Sequence, residues 1–262
     1  MDLYFKESGH KNNETILFLH GSALGGWMWD KQLKYFSNYH CLIPDLPEHG
    51  KNINMANFSM ENATDLVIDL IKNKAHNSRA HVVGFSLGAQ IIVEILSKSP
   101  EIIDHAFISG TLVRSIPTTP LILNSMNYIL KEYLPVKDTD FFIKANIRSY
   151  NFPKEYFNNI KQSTKSLNPD SLQRILHENL FFRIPNGLKV VNNSVLIIAG
   201  GKEYSIIKES AKYLARAIPN SHAYIAPGMV NVWNLVEPEF FNKVLGAWIK
   251  DGSLPEELIP IK

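Results

Sequence analysis

The sequence predicts a single α/β domain in which helices flank a mainly parallel, twisted sheet. Two observations favour this class: short apolar runs alternate with segments of helical periodicity, and 262 residues are enough for one large core. A third observation, one long stretch without a strand pattern, indicates that the alternation is interrupted once. The composition, with 45% hydrophobic and 20% charged residues, is typical of a packed globular protein.

Six short apolar runs, each bounded by turn residues, are predicted to be strands buried on both faces. In chain order they are TILFLHG at 15–21, HCLIPD at 40–45, AHVVGFS at 80–86, HAFISG at 105–110, SVLIIAGG at 194–201 and HAYIAPG at 222–228. Helices are predicted between them at 63–74, 88–100 and 208–219, and the last two end at a proline. Strands that alternate with helices in this way form a parallel sheet.

The interruption spans residues 111–189, which contain helical segments such as 121–135 and 169–182 but no convincing strand pattern. We therefore expect residues 1–110 and 190–262 to form the core and residues 111–189 to form an inserted helical cap, or lid. Most of the aromatic residues in this insertion are expected to pack among its helices, and a minority to line a pocket. These aromatic residues include Tyr133, Phe141, Phe142, Phe157 and Phe181.

The charge of the chain argues against several classes of binding partner, and its cysteine content excludes a disulfide. The net charge of +2 comes from 27 basic and 25 acidic residues without a run of one sign, so neither nucleic acid nor an anionic membrane is an expected partner. The single cysteine, Cys41, rules out an intrachain disulfide, and we expect no metal and no cofactor. A polar, charged start without a signal-peptide pattern, and no apolar run of about 20 residues, predict a soluble cytoplasmic protein. The oligomeric state stays open.

The segment GFSLG, at 84–88, has the G-x-S-x-G form between a predicted strand and a predicted helix. A tight turn there would hold the Ser86 hydroxyl exposed at the helix N-terminus, as a nucleophile requires, although an ordinary strand-to-helix turn is the alternative. The backbone N–H groups of Ser22, after the first buried strand, and of Leu87 could then stabilise an oxyanion. We expect His20, at the end of that strand, to be structural.

These motifs, with three others, resemble the α/β-hydrolase family, in particular its lid-bearing, cofactor-independent serine hydrolases. The resemblance covers nearly the whole chain. It is carried by FLHGSALGGWMWD at 18–30, IPDLPEHGKN at 43–52, VGFSLGA at 83–89, VLIIAGGKEYSIIKESAKYLARAIPNS at 195–221 and PGMVNVWNLVEPEFF at 227–241. It implies the α/β-hydrolase fold and a triad in the order nucleophile, acid, histidine. In the second segment Glu48 replaces the first glycine of the D-x-P-G-H-G pattern.

Two departures affect the triad. Glu203 stands where the family usually has aspartate, a known variation, unless it is only a surface residue beside Lys202. Alignment of the P-G-x-G-H loop puts Val230 at the usual glycine, which suggests a reshaped loop, and Asn231 at the histidine. The Asn231 amide can donate to Glu203, but it cannot take the proton of Ser86.

The sequence therefore predicts an incomplete triad of Ser86, Glu203 and Asn231, with His49 or His177 as the only alternative bases worth considering. One interpretation is a serine hydrolase that acts on an ester, thioester or related carbonyl substrate. Another is an inactive protein that binds a small acyl or carbonyl ligand or a partner. A third is that Asn231 was substituted for histidine in an active hydrolase.

Overall fold

The computed structural model of the chain describes residues 3–55, 57–114, 128 and 132–261. Its described strands form one sheet and are, in chain order, β1 (Phe5–Ser8), β2 (Thr15–Leu19), β3 (His40–Pro44), β4 (Ala80–Phe85), β5 (Ile103–Ser109), β6 (Ser194–Gly200), β7 (Ser221–Ala226) and β8 (Ile259–Pro260). Their spatial order is β1-β3-β2-β4-β5-β6-β7-β8. The strands from β3 to β7 in this order are parallel, whereas β1 and β8 pair antiparallel at the two edges.

Helices connect the strands and cover both faces of the sheet. They are α1 (Asp30–Tyr35), α2 (Met60–Lys74), α3 (Leu87–Lys98), α4 (Asp140–Ser149), α5 (Phe157–Ser166), α6 (Pro169–Phe181), α7 (Ser205–Ala217), α8 (Trp233–Val236) and α9 (Pro238–Trp248). Short 3₁₀ turns lie at Gly26–Trp29, Gly50–Asn52, His76–Ser78, Pro100–Ile102, Lys154–Tyr156 and Leu188–Val190. None of the helices within the described ranges is long and apolar enough to cross a membrane.

The continuous apolar runs fold as central strands because both of their faces are covered. Every residue of β2 and β4 is buried. Side chains alternate along a strand, so Leu17 and Leu19 of β2 join the cluster that contains α2 and α3, whereas Ile16 and Phe18 join the cluster that contains α8 and α9. The sheet therefore separates two apolar cores.

The expected mainly parallel α/β architecture is confirmed, and all six predicted strands are present. The three predicted helices are present as α2, α3 and α7, within a few residues of their expected bounds. The edge strands β1 and β8 were not predicted, because they are short and largely exposed and so lack the apolar signal of the central strands.

Between β5 and β6 the described residues form α4, α5 and α6 and no strand. The predicted helical segment at 169–182 corresponds to α6. The predicted helical segment at 121–135 falls mostly outside the described residues. The division of the chain into a core and a cap stays a prediction.

Candidate active site

The turn between β4 and α3 presents Ser86 with an unusual backbone conformation. Ser86 has φ +52° and ψ −109°, values that a residue with a side chain rarely adopts. Both flanking glycines are required for close packing: a β-carbon at Gly84 would lie 2.7 Å from the Ala89 nitrogen, and one at Gly88 would lie 2.5 Å from the Leu19 carbonyl oxygen. This strand, turn and helix are the local structure that the GFSLG segment predicts.

The loop after β2 lies beside this turn. The Gly88 N–H donates to the carbonyl oxygen of His20 (3.1 Å), which joins the loop to the first turn of α3. Leu87 is the first residue of α3, so its N–H has no acceptor within the helix and lies at the positive end of the helix dipole. The two predicted oxyanion donors, the N–H groups of Ser22 and Leu87, thus come from adjacent segments.

His20 is structural, as its position predicts. Its ring is fully buried, with Nδ1 bonded to the Gly21 carbonyl oxygen (2.8 Å) and Nε2 accepting from the Leu46 N–H (2.9 Å). Burial lowers the pKa of His20, against the opposing effects of the Gly21 carbonyl and of Asp45. A neutral ring with both nitrogens bonded to the backbone cannot serve as a base.

Ser86 opens onto a cavity of about 490 Å³, and Ser22 and Asn231 also line it. Much of the remaining wall comes from the segment between β5 and β6 and is apolar, with Phe142, Phe152, Ile160, Leu172 and Leu176. Of the aromatic residues singled out in the sequence, Tyr133 and Phe142 line this cavity, with ring centres 5.3 Å apart. Phe157 is partly buried and packs against the apolar core, the Phe181 ring lies tilted against His177 with ring centres 4.6 Å apart, and Phe141 is exposed.

Glu203 and Asn231 are hydrogen-bonded to each other. The Asn231 side-chain amide donates to Glu203 Oε1, and the Gly200 N–H donates to Oε2 (2.6 Å). Burial raises the pKa of Glu203, although these hydrogen bonds and Lys208 act in the opposite direction. Glu203 is therefore not a solvated surface residue, whereas its neighbour Lys202 is exposed.

The absence of a side chain at Gly110 leaves room for the hydrogen-bonded pair of Glu203 and Asn231. It has φ +60°, and a β-carbon there would lie 3.0 Å from Asn231 Nδ2 and 3.1 Å from Glu203 Oε1. The chain thus brings together the two residues predicted to take the acid and histidine positions, and places Asn231 on the wall of the cavity that Ser86 lines.

Neither alternative histidine is placed to act on Ser86. His49 is buried, with Nδ1 bonded to the Pro47 carbonyl oxygen (2.9 Å) and Nε2 accepting from the Ala23 N–H (3.2 Å). Burial, helped by neighbouring His20, lowers the pKa of His49 to about 3. His177 is exposed on α6, in a groove with Asp170 and Arg174. All nine histidines of the chain lie within the described residues, and none lines the Ser86 cavity.

The loop that carries Asn231 is not strained at Val230. Its residue with positive φ is Gly228 (+73°), and Val230 is not among the positive-φ residues. The loop is held by the Lys202 N–H, which donates to the Met229 carbonyl oxygen (2.9 Å). Val230 is therefore accommodated without strain, because the positive-φ conformation that favours glycine occurs two residues earlier, at Gly228.

The role of Glu48 was not predicted from the sequence. This residue is 3% exposed and has φ +61°. Its carboxylate accepts from the Phe58 N–H (2.9 Å), from Ser171 Oγ (2.7 Å) and from both Arg174 Nε (3.2 Å) and Nη2. Burial opposes ionisation, but the hydrogen bonds led by Arg174 outweigh it and hold the pKa of Glu48 below its usual range. A charged residue at a glycine position was the available signal.

Other hydrogen bonds also join the helices between β5 and β6 to the rest of the chain. Trp27 Nε1 donates to Ser163 Oγ on α5 (3.0 Å), and the Met60 N–H donates to Glu178 on α6 (2.8 Å). Among the described residues there is no group of three or more His, Cys, Asp or Glu side chains that could hold a metal ion.

Comparisons with known proteins agree with this architecture. A family model described as "Alpha/beta hydrolase family" matches residues 16–247. A protein of Gibberella zeae named AB hydrolase superfamily protein is 25% identical over 98% of the chain and 88% of its own length. A pimeloyl-(acyl-carrier protein) methyl ester esterase of Wigglesworthia glossinidia brevipalpis is 26% identical over 68% of the chain and 66% of its own length.

Solved structures show the same fold. A thermophilic esterase from Thermogutta terrifontis superposes with a TM-score of 0.77 at 17% identity, over 95% of this chain and 93% of the other. An α/β-hydrolase enzyme from a Medee basin deep-sea metagenome library superposes with a TM-score of 0.78 at 18% identity, over 97% and 96% of the two chains. The expected α/β-hydrolase fold is confirmed.

Proposed function

The chain belongs to the α/β-hydrolase family, and we propose that it is a serine hydrolase-type protein that uses Ser86 on an ester, thioester or related carbonyl compound. The observation that carries this proposal is the position of Ser86: a strained, positive-φ turn at the N-terminus of α3 that opens onto a cavity. Such a turn exposes a nucleophilic hydroxyl and brings backbone donors next to it.

The proposed chemistry begins with attack of Ser86 Oγ on the carbonyl carbon of the ligand. The negative charge that develops on the carbonyl oxygen is stabilised by the N–H groups of Ser22 and Leu87. Glu203 and Asn231 occupy the other two triad positions, but asparagine is not basic near neutral pH. Ser86 therefore remains a weak nucleophile, and we propose that generic esters are hydrolysed very slowly.

The proposed ligand is a small, uncharged acyl or carbonyl compound. The described residues that line the cavity include no side chain of His, Asp, Glu, Lys or Arg, and most of the wall is apolar. An ester is also the substrate in the name of the esterase from Wigglesworthia glossinidia brevipalpis. We further propose that residues 111–189 act as the cap of this cavity, since α4, α5 and α6 each contribute residues to its wall.

A second candidate is a ligand-binding protein that has lost turnover. The hydrogen bond between Asn231 and Glu203 favours it, because it pairs the carboxylate with an amide that is not a base. In this case the cavity binds the same class of ligand and Ser86 only contributes a hydrogen bond.

Restoring the base distinguishes the two candidates. We expect Asn231→His to raise kcat/KM on p-nitrophenyl butyrate by at least about a hundred-fold, the lower end of what a positioned general base contributes. Histidine Nδ1 can donate to Glu203 as the Asn231 amide does, so its ring is held in place. Adding Val230→Gly is expected to change the rate little, since Val230 is not strained.

Ser86→Ala in the Asn231→His background is the control and should abolish the gained activity. A folded Asn231→His variant that stays inactive on short and medium acyl esters would instead establish the ligand-binding candidate. Folding is checked by circular dichroism and by the melting temperature.

A further inference from the structure

Two histidines meet at the edge of the sheet opposite to Ser86. His81 lies near the amino end of β4 and His105 near the amino end of β5, whereas Ser86 follows the carboxyl end of β4. The pairing of the two strands shifts by one residue between Ala80 and Val82, so that His81 stands opposite two residues of β5, of which His105 is the second. An irregularity of this kind re-aims a side chain.

The two rings face each other through their Nδ1 atoms, which are 3.2 Å apart. Each Nε2 faces a carboxylate instead. His105 Nε2 lies 3.0 Å from Asp251 Oδ1. His81 Nε2 lies 3.8 Å from Glu14 Oε1. An ionised carboxylate only accepts hydrogen bonds, so each one favours the tautomer with the proton on Nε2. Both Nδ1 atoms then carry a lone pair, and two lone pairs at this distance repel each other unless a cation lies between them.

We propose that His81 and His105 bind a zinc ion through their two Nδ1 atoms. Zinc bonds to a histidine nitrogen at about 2.0–2.1 Å, and a tetrahedral angle then puts two such nitrogens about 3.3 Å apart. The separation of 3.2 Å in this chain matches that geometry. A metal-bound histidine also donates its second ring N–H to a carboxylate or a carbonyl group in nearly all known sites, and here Asp251 and Glu14 face the two Nε2 atoms.

The site has two ligands from the protein. In the part of the chain that the structure describes, no group of three His, Cys, Asp or Glu side chains could hold a metal, so two water molecules complete the tetrahedron and the ion exchanges with solvent. The side chain of His105 is 14% exposed, which leaves an approach for the ion. This site departs from the expectation of no metal, because the two histidines are 24 positions apart and meet only through the register of the strands.

Aromatic neighbours hold the two rings in place. Trp248 meets His105 edge-on with ring centres 5.9 Å apart, and its Nε1 donates to the carbonyl oxygen of Ala106 (3.1 Å). Tyr39 meets His81 edge-on at 6.4 Å. The two nitrogen ligands are therefore already oriented before an ion binds.

The charge around the rings is favourable for a cation. Glu14 and Asp251 face the two rings, and Asp104, whose charge also acts on His81, is paired with Arg79 (2.7 Å). Three carboxylates and one guanidinium leave an excess of negative charge. Burial lowers the pKa of His81, although Asp104 and Glu14 act in the opposite direction, so this ring is neutral near pH 7 and its lone pair is available to a metal.

Calorimetric titration of the full chain with zinc chloride tests the site. We expect a single zinc ion to bind per chain. At a free zinc concentration about ten times the dissociation constant, the melting temperature should rise by about 3–5 °C. Magnesium chloride is the control, because magnesium prefers oxygen ligands, and it should leave the melting temperature unchanged.

Three substitutions separate this site from other surface sites. His81→Gln and His105→Gln each remove one nitrogen ligand and should weaken zinc binding by about a hundred-fold or more, whereas Asp251→Asn should weaken it by about tenfold, the lower end for the partner of a metal-bound histidine. His177→Gln, which changes an exposed histidine on α6, is the matched control and should bind zinc as the wild type does.

Zinc binding that keeps its full strength in both His81→Gln and His105→Gln would overturn the inference. So would a wild-type protein that does not bind zinc, since the two rings would then be joined by an ordinary N–H···N hydrogen bond. Circular dichroism checks that each variant is folded. If neither histidine variant folds, Asp251→Asn and an anomalous difference map of zinc-soaked crystals decide: a zinc peak bonded to both Nδ1 atoms supports the site, and a peak elsewhere overturns it. None of these measurements depends on Ser86, so their result is independent of the proposed function.

Discussion

The two glutamates at departures from the family pattern, Glu48 and Glu203, have opposite electrostatic environments. Glu48 is bonded to a guanidinium, a hydroxyl and a backbone N–H, and its pKa is held below its usual range in spite of burial. Glu203 is bonded to one side-chain amide and one backbone N–H, and burial raises its pKa. The difference between them is the charge of the partner: Arg174 neutralises a carboxylate, whereas Asn231 only orients one.

This contrast explains what the candidate site keeps and what it lacks. In a complete triad the acid faces an imidazole that becomes positively charged during the reaction. In the proposed triad Glu203 takes the acid position, but its partner there, Asn231, cannot become positively charged. Glu48, by comparison, has a permanent partner and ties the segment before α2 to α6, far along the chain.

The largest expected difference between the two glutamates is catalytic. In the Asn231→His background, Glu203→Gln should lower kcat/KM on p-nitrophenyl butyrate by about a hundred-fold or more, because an amide favours the wrong histidine tautomer and does not stabilise its charged form. Glu48→Gln in the same background should leave kcat within about threefold.

The measurement is steady-state hydrolysis by the two Glu→Gln variants, side by side. A similar loss of kcat in both would mean that Glu48 contributes to the chemistry, and would remove the distinction between an orienting acid and a structural ion pair.

The same contrast shows what could be predicted from the sequence. The position of Ser86 was predictable because strand, G-x-S-x-G turn and helix follow one another within a few residues, and each has a local signature. The pairing of Glu203 with Asn231 followed from the resemblance, since both residues align with known triad positions.

The partners of Glu48 had no such signal. Ser171 and Arg174 are 123 and 126 residues away in the sequence, on a helix whose packing only the fold determines. The environments of His20 and His49 were hidden for a related reason: their ring partners are backbone groups, which any sequence would supply. Local patterns thus located the proposed nucleophile, whereas long-range hydrogen bonds decide which ionisable groups are available to it.

The next difference concerns stability. We expect Glu48→Gln to lower the free energy of unfolding by about 2 kcal/mol, because it removes the charge opposite Arg174 and turns an amide N–H₂ toward donors in a buried site. Glu203→Gln should change it by less than about 1 kcal/mol, since the Asn231 amide can rotate and accept from the new side chain.

Urea denaturation of both variants at pH 7, followed by circular dichroism, measures these values. The comparison fails if Glu203→Gln proves to be the more destabilising change. Ser171→Ala removes a single uncharged hydrogen bond to Glu48 and serves as an intermediate control. It should lower the free energy of unfolding by about 1 kcal/mol.

The smallest expected effect is a pair of opposite pH dependences. The pKa of Glu48 is lowered on folding, so its stabilising contribution is present above the unfolded-state value of about 4.3 and is lost as the pH falls through the folded-state value. The pKa of Glu203 is raised, so the contribution of its protonated form is present below about pH 4.3 and is lost as the pH rises through the folded-state value. The wild type should therefore lose its advantage in free energy of unfolding over Glu48→Gln below about pH 4. Glu203→Gln should instead become more stable relative to the wild type as the pH rises from about 4 toward 7. Each change amounts to roughly 1 kcal/mol for one unit of difference between the folded and unfolded pKa. Melting temperatures of the three proteins across this pH range, converted to free energies of unfolding, give the pH dependence of the stability difference between the wild type and each variant. If the two differences changed with pH in the same direction, the two carboxyl groups would have the same kind of electrostatic environment.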